Sequence, residues 1–149
     1  MSHTFCSSLF HCVFSTKDRR KLIAPQIHER LWAYIGGVAR EHGLKALAIG
    51  GTEDHIHILL SLPSTFPVAN AMREIKSVSS FWMRRTRAKA DFEWQEGYGA
   101  FSIGYSQVPT TSAYIKKQDE HHRKRDFQAE FLAFLKKHRI GYDPRYIWG

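Results

Sequence analysis

Two histidines separated by a single residue are the first feature of this sequence that could do chemistry. His55 and His57 belong to the run HIHILLSL. Because side chains alternate along a strand, both imidazoles lie on one face, and only Ile and Leu lie on the other. Imidazole nitrogens are common ligands of divalent metals. Two unrelated, hydrogen-bonded histidines would give the same pattern, so its meaning depends on what else faces them.

A helix predicted further along the chain carries a polar stripe. Tyr114, Gln118 and His121 recur there at i, i+4 and i+7. A solvent-facing stripe would explain this polarity. If the helix instead covers the histidine face, Gln118 brings an amide oxygen to the two imidazoles. Two nitrogens and one oxygen then form a three-ligand divalent metal site with open positions, and Tyr114 lies one turn away.

Such a site suits the cleavage of a phosphodiester. A metal with neutral protein ligands keeps its full charge and can stabilise the pentacovalent transition state. A tyrosine phenol, whose pKa is about 10, can act as the nucleophile. The resulting phosphotyrosine conserves the bond energy for a later rejoining step, which fits breaking and rejoining DNA better than simple hydrolysis.

The elements that must position these residues follow the order β-α-β-β-α-β. Periodicity and turn residues predict strands over 8–15, 44–49, 55–62 and 100–106, with helices over 25–43 and for about 20 residues after Pro67. This order is typical of the ferredoxin-like α+β fold with an antiparallel sheet, in which the histidine strand is central. We expect the crossover helices to cover the apolar face of that strand and to leave the histidine face bare.

Two further helices are predicted after this core. Pro109 begins one that extends to about residue 123, and we expect it to cover the histidine face. Asp126 can cap the second, whose apolar residues end before Gly141. These apolar residues are Phe127, Phe131, Phe134 and Leu135. Without an internal repeat or a linker, residues 1–149 are predicted to form one domain.

Charge and composition indicate which kinds of binding partner and which cellular compartment suit the chain. Lys and Arg total 22 against 14 Asp and Glu, a formal net charge of +8, which favours a polyanion. No apolar run reaches the roughly 18 residues of a membrane span, so neither a membrane protein nor an exported one is predicted. Cys6 and Cys12 lie about 20 Å apart if they share one extended strand. They cannot pair within that strand, which points to a reducing cytoplasm.

Four segments, taken together and in this order, resemble the single-tyrosine HUH transposases. They are STKDRR at 15–20, DHIH at 54–57, WQEGYGAFS at 94–102 and YIKKQDEHH at 114–122. The family includes small transposases of bacterial insertion sequences and the related REP-associated tyrosine transposases. The resemblance implies that His55, His57 and Gln118 bind the metal and that Tyr114 is the nucleophile.

The same resemblance implies the cofactor and the partner. The family uses Mg²⁺ or Mn²⁺, cleaves single-stranded DNA near a short hairpin, and forms a 5′-phosphotyrosine intermediate with a free 3′-hydroxyl. Imidazoles also suit Zn²⁺, but an oxygen ligand and a phosphate substrate agree with the family. Insertion-sequence members act as homodimers that share their tyrosine helices, and we expect a homodimer here unless the chain is of the REP-associated type, whose members can act as monomers. The implied location is the cytoplasm, on the nucleoid when DNA is bound.

Basic and aromatic residues supply candidate DNA contacts. The basic candidates are Lys17, Arg19, Arg20, Lys76, Arg84, Arg85, Lys117, His121 and Arg123. Trp94 and Tyr98, in a predicted loop, could stack on unpaired bases. His121 and His122 could instead ligate a metal together with Glu120.

Two other functions stay open at this point. A transposase-like protein adopted by its host could bind hairpins without catalysing transposition. A plain RNA-recognition module shares the core order, and the GYGAF segment at 97–101 resembles its aromatic signature. However, that signature requires a basic residue where Glu96 stands, and it leaves the two histidines and the tyrosine helix unexplained.

Overall fold

The computed structural model describes residues 3–86, 90–118 and 126–149. The elements in chain order are β1 (Leu9–Ser15), α1 (His28–Glu41), β2 (Lys45–Gly51), β3 (His55–Ser61), α2 (Val68–Thr86), β4 (Gly99–Ile103), α3 (Val108–Lys116) and α4 (Phe127–Lys137). The four strands form one antiparallel sheet in the order β2-β3-β1-β4. The predicted α+β fold is confirmed, and the histidine strand β3 lies inside the sheet.

The crossover helices α1 and α2 pack on the apolar face of β3, as its alternation predicts. Ile56 and Ile58 are fully buried in the same core cluster as Leu31 of α1 and Ile75 of α2. Burial of each such side chain contributes about 1.5–3 kcal/mol, so this layer anchors the sheet. Gly43 follows α1 with a φ of +74°, a left-handed conformation that favours glycine and ends the helix.

Helices α3 and α4 cover the opposite face of the sheet. Phe127 and Phe131 of α4 pack on Val13 of β1 and Phe101 of β4. Asp126 caps α4 as predicted, because its side chain accepts a hydrogen bond of 2.9 Å from the backbone N–H of Ala129. An RNA-recognition module would present Phe101 on an open sheet, but here this side chain is only 2% exposed. The structure therefore does not support the RNA-binding interpretation.

Helix α3, which carries Tyr114, ends at Lys116, and Gln118 is helical again. The predicted end near residue 123 lies outside the described residues. The backbone N–H of Lys117 donates to the Tyr114 carbonyl at 3.3 Å, and the Gln118 side-chain amide donates to the same oxygen at 3.2 Å. Gln118 therefore lies just beyond the end of α3, and its side chain bonds back to the last turn of that helix.

Small residues on β2 allow α3 to lie close to the sheet. A register shift between Ala46 and Ala48 sets the later pairing, in which Gly50 is opposite His57. A Cβ atom on Gly50 would lie 2.2 Å from the backbone carbonyl oxygen of Ile115. Only glycine accommodates this approach, so Gly50 sets the distance between the tyrosine helix and the histidine strand.

The two cysteines lie in different environments, and only Cys12 lies on β1. Cys6 is exposed, Cys12 is buried, and neither forms a disulfide. Burial raises the pKa of the Cys12 thiol to about 12. Within the described ranges, none of the helices combines the length and the apolar character needed to cross a bilayer.

Candidate metal and tyrosine site

His55 and His57 project from β3 into the layer beneath α3 and α4, and both are fully buried. His55 Nδ1 lies 2.7 Å from Asp54 Oδ1, to which its N–H donates, and 2.9 Å from the Thr52 hydroxyl. His57 Nδ1 shares a hydrogen bond of 2.8 Å with His11 Nε2. Because an outer partner engages each Nδ1 atom, each ring presents its Nε2 atom to the interior of the site.

His11 is a third histidine of this site that the sequence reasoning missed. It lies on β1, next to β3, and its ring centroid is 5.0 Å from that of His57. Burial, followed by the neighbouring His57, lowers the pKa of His11 to about 3. His11 is therefore uncharged near neutral pH, and because His57 Nε2–H donates to Glu130, the His11 Nε2–H donates to His57 Nδ1. This bond would fix both the tautomer and the orientation of the His57 ring.

Gln118 faces His55 with its amide oxygen. Its Nε2 atom donates to the Tyr114 carbonyl, which fixes the orientation of the amide group, and its Oε1 atom lies 3.2 Å from His55 Nε2. When His55 Nδ1–H donates to Asp54, the Nε2 lone pair and the amide oxygen are both electron-pair donors. Two electron-pair donors that face each other in a buried position have the arrangement of ligands around a cation.

Glu130 of α4 enters the same site, and the sequence reasoning missed it as well. The carboxylate is 1% exposed, and its Oε1 atom accepts a hydrogen bond of 2.9 Å from His57 Nε2 and lies 3.7 Å from His55 Nε2. The ligand atoms of Glu130 and the two histidines all lie within 4.8 Å of one another. One signal was available, since Glu130 interrupts the apolar stripe of α4 between Phe127 and Phe131.

Tyr114 reaches this cluster from α3. Its hydroxyl donates a hydrogen bond to Glu130 Oε2, and its ring centroid is 5.9 Å from that of His57. The side chain is half-buried and borders a cleft of about 310 Å³ between α3 and α4. Lys137 and His138 also line this cleft. The tyrosine oxygen thus lies between the buried donor atoms and an opening to solvent.

The donor atoms fit a divalent cation. Two imidazole nitrogens, one amide oxygen and one carboxylate oxygen converge, and the second coordination layer already orients both rings. The sequence interpretation expected neutral ligands alone. Glu130 adds an oxygen of the type that Mg²⁺ and Mn²⁺ prefer and reduces the net charge that the ion would contribute.

The predicted DNA contacts at the first basic turn have partners within the chain. Lys17 Nζ lies 3.2 Å from a Glu93 carboxylate oxygen, and Arg20 Nη2 donates to Asp91 at 2.8 Å. The Arg19 guanidinium lies 5.5 Å from the ring centroid of Trp148. Exposed ion pairs of this kind are weak and can exchange their partners for phosphates.

The basic residues of α2 lie on the other side of the sheet from the histidines. Lys76 and Arg84 line a groove between α2 and the segment 93–98. Lys76 Nζ donates to the Glu96 and Gly97 carbonyls at 2.8 Å each, and burial lowers the pKa of Lys76 to about 8. The Arg85 guanidinium lies over the Phe81 ring.

The remaining DNA candidates fall near the end of α3. Lys117 is exposed beside Gln118, whereas His121 and Arg123 lie outside the described residues, as do Glu120 and His122. The DNA-contact assignments therefore stay predictions.

Trp94 belongs to the core rather than to a base-stacking surface. It is 8% exposed, packs edge-to-face on Phe14 and Phe92, and donates from Nε1 to the Ser79 hydroxyl at 2.9 Å. The prediction that Trp94 could stack on bases is wrong, because the loop folds inward against α2. Tyr98 lines the groove beside Lys76 and remains a candidate.

Comparison with known proteins places the chain in a family. Residues 4–118 match the family described as "Transposase IS200 like". A solved structure of a candidate transposase from Deinococcus radiodurans R1 is similar with a TM-score of 0.63 and 16% identity, over 77% of this chain and 93% of that one. The structure of a REP-associated tyrosine transposase bound to a REP hairpin is similar with a TM-score of 0.57 and 17% identity, over 77% of this chain and 68% of that one. No curated protein sequence matches the chain.

Proposed function

Because the chain belongs to the IS200-like transposase family, we propose that it cleaves and rejoins single-stranded DNA beside a hairpin. Tyr114 is the nucleophile and becomes bound to the 5′-phosphate, while the 3′-hydroxyl leaves. The observation that carries the proposal is the position of the tyrosine oxygen. It shares the Glu130 carboxylate with His57, within a buried group of atoms suited to a divalent metal.

His55, His57, Gln118 and Glu130 would hold the metal, and Mg²⁺ or Mn²⁺ fits their oxygen content. When bound, such an ion polarises the non-bridging oxygens of the scissile phosphate and stabilises the charge of the transition state. The protein positions the phenol for in-line attack and holds both histidine rings through Asp54 and His11. The buried face beneath α3 and α4 limits competition from water.

The described residues favour a site built within one chain. Tyr114, both histidines and Glu130 come together without a second copy, and α3 packs on β2 and β3 of its own sheet. We therefore favour the arrangement in which the tyrosine of one chain serves the histidines of the same chain. A monomer could then perform the cleavage step.

The single strand would enter through the cleft between α3 and α4. This cleft reaches Tyr114 from solvent and carries the cationic side chain of Lys137. One solved relative binds a REP hairpin, and we extend hairpin binding to this chain. The hairpin would contact basic side chains, and among the described residues the turn at Lys17 and the α2 groove at Lys76 are two such surfaces.

A covalent-adduct assay tests this function. The protein is incubated with end-labelled single-stranded DNA carrying the hairpins that flank its own gene, with Mg²⁺, Mn²⁺ or a chelator, and is resolved on a denaturing gel. We expect a labelled protein band that requires the metal and disappears in Tyr114→Phe. The matched control is Tyr105→Phe. This substitution removes the same hydroxyl from a nearby tyrosine that is 80% exposed.

The outcomes separate the function classes. Hairpin binding by Tyr114→Phe should stay near that of the unchanged protein, since only a hydroxyl is lost. Hairpin binding without any adduct under either metal would favour a host-adopted binding protein. An adduct that persists in Tyr114→Phe and disappears in Tyr105→Phe would move the nucleophile to Tyr105 and refute the assignment.

A further inference from the structure

We propose that Glu130 is a catalytic residue, which orients the Tyr114 hydroxyl and accepts its proton during attack on the phosphate. The inference rests on the proposed function and assigns a second role to its site. The family match ends at residue 118, so it does not cover α4.

The two oxygens of Glu130 face different partners. Oε1 lies toward the metal-binding nitrogens, at 2.9 Å from His57 Nε2 and 3.7 Å from His55 Nε2. Oε2 accepts the hydrogen bond of the Tyr114 hydroxyl. A single carboxylate thus joins the nucleophile to the metal-binding atoms. Movement of this carboxylate would change both the tyrosine position and the ligand set.

The packing of α4 fixes the carboxylate in this position. Phe127 and Phe131, on either side of Glu130, are buried against the sheet. The Asp126 cap fixes the start of the helix. Burying a carboxylate within an apolar stripe is costly unless it is hydrogen-bonded, and here two functional side chains supply those bonds. A merely structural position on this stripe would be better filled by an apolar side chain.

The chemistry requires a proton acceptor at this place. The oxygen of a protonated phenol attacks effectively only as its proton leaves. His11 also lies near the tyrosine, with ring centroids 6.1 Å apart, but its Nε2 atom is engaged by His57. The carboxylate that already accepts the hydroxyl hydrogen is the group placed to take it.

The proposed step is balanced in atoms and charge. The phenolic O–H bond breaks, and its proton moves to Glu130 Oε2. The tyrosine oxygen forms a bond to phosphorus, the bond from phosphorus to the 3′ oxygen breaks, and that oxygen takes a proton from water. In rejoining, a 3′-hydroxyl gives its proton back to solvent as its oxygen bonds to phosphorus, the bond from phosphorus to the tyrosine oxygen breaks, and that oxygen recovers its proton from Glu130.

The test replaces Glu130 by the isosteric glutamine and measures the rate of adduct formation at saturating Mn²⁺, with saturation established by titration of each variant. General-base catalysis typically contributes about 10²–10⁴-fold, so we expect Glu130→Gln to slow the step by at least about 100-fold. Glu29→Gln is the matched control, because Glu29 is exposed on α1. An adduct rate for Glu130→Gln within threefold of the unchanged protein would overturn the proposal.

A more acidic phenol distinguishes proton transfer from metal binding. With 3,5-difluorotyrosine incorporated at position 114, the Glu130→Gln variant should regain at least about tenfold in rate, since an acidic phenol depends less on a base. The fluorine resonance of that residue in the metal-free protein should also shift on Glu130→Gln and remain unchanged on Glu29→Gln. A slow variant that fluorination does not accelerate would assign Glu130 to metal binding or to the fold and refute the base role.

If Glu130→Gln does not fold, the same measurements on Glu130→Asp test the base role. The shorter side chain keeps a carboxylate but places it farther from the Tyr114 hydroxyl. Slowed attack that fluorination accelerates supports the role, whereas an unaltered rate or an unresponsive slow rate overturns it. Absence of any adduct with the unchanged protein refutes the proposed function and this role together. A normal adduct in the unchanged protein with a normal Glu130→Gln refutes this role alone.

Discussion

Gly50→Ala tests whether the distance between α3 and the sheet sets the activity. The added Cβ would lie 2.2 Å from the Ile115 carbonyl oxygen and 3.0 Å from the Ile115 carbonyl carbon. Ordinary contacts begin near 3.4 Å, so α3 must move outward by about 1 Å to relieve the overlap. Tyr114 directly precedes Ile115, and its hydroxyl moves with the helix.

The expected effects on activity and stability differ in size. A displacement of about 1 Å at a reacting group can cost roughly 10²-fold in rate, so adduct formation by Gly50→Ala should fall by about that factor. Overpacking typically destabilises by about 1–3 kcal/mol, which a folded domain can tolerate. The rate of adduct formation and the free energy of unfolding in urea measure the two effects.

Gly37→Ala is the matched control. Its added Cβ would meet only the Arg40 guanidinium at 3.7 Å, an ordinary contact, and it lies within α1. Replacing glycine by alanine inside a helix should stabilise the protein by roughly 0.5–1 kcal/mol and leave the adduct rate unchanged. A folded Gly50→Ala protein that forms the adduct at the normal rate would refute the claim that this approach positions the tyrosine.

Three further predictions concern the site, the thiols and the DNA. His57→Ala should abolish the metal-dependent adduct. If each chain carries its own complete site, mixing the His57→Ala and Tyr114→Phe proteins should not restore cleavage. Restored cleavage would place the tyrosine and the histidines on different chains. A thiol reagent should modify Cys6 rapidly in the native protein and Cys12 only in denaturant, because Cys12 is buried with a pKa raised to about 12; rapid reaction of both thiols would contradict the β1 packing. Hairpin affinity should fall at least about tenfold between 50 and 200 mM salt as counterions rebind the DNA, and a flat response would argue against phosphate contacts.

The part of the site that lies within single strands and helices could be predicted, because it depends on the residue periodicity of those elements. The two-residue period of β3 places His55 and His57 on one face whatever the tertiary structure is. Their apolar counterparts Ile56 and Ile58 are buried as the pattern requires. The spacing of Tyr114 and Gln118 was also informative, although α3 ends between them. Gln118 stays near because its side chain bonds back to the Tyr114 carbonyl.

The remaining part of the site depends on packing between distant segments. Glu130 looks like one polar residue in a phenylalanine-rich helix, and only the docking of α4 on the sheet brings it to His57. In the sequence His11 is one residue of an ordinary strand, and only the pairing of β1 with β3 brings it to the site. The role of Gly50 requires the position of α3. Each of these contacts spans a long sequence separation that local periodicity does not encode.

Mass spectrometry of the purified covalent adduct tests the central claim most directly. After metal-dependent reaction with hairpin-bearing single-stranded DNA, nuclease digestion and proteolysis, the modified peptide is sequenced. We expect a nucleotide 5′-phosphate on the Tyr114 oxygen and a free 3′-hydroxyl on the released strand. A phosphate on any other residue, or a released strand ending in 3′-phosphate, would contradict that claim.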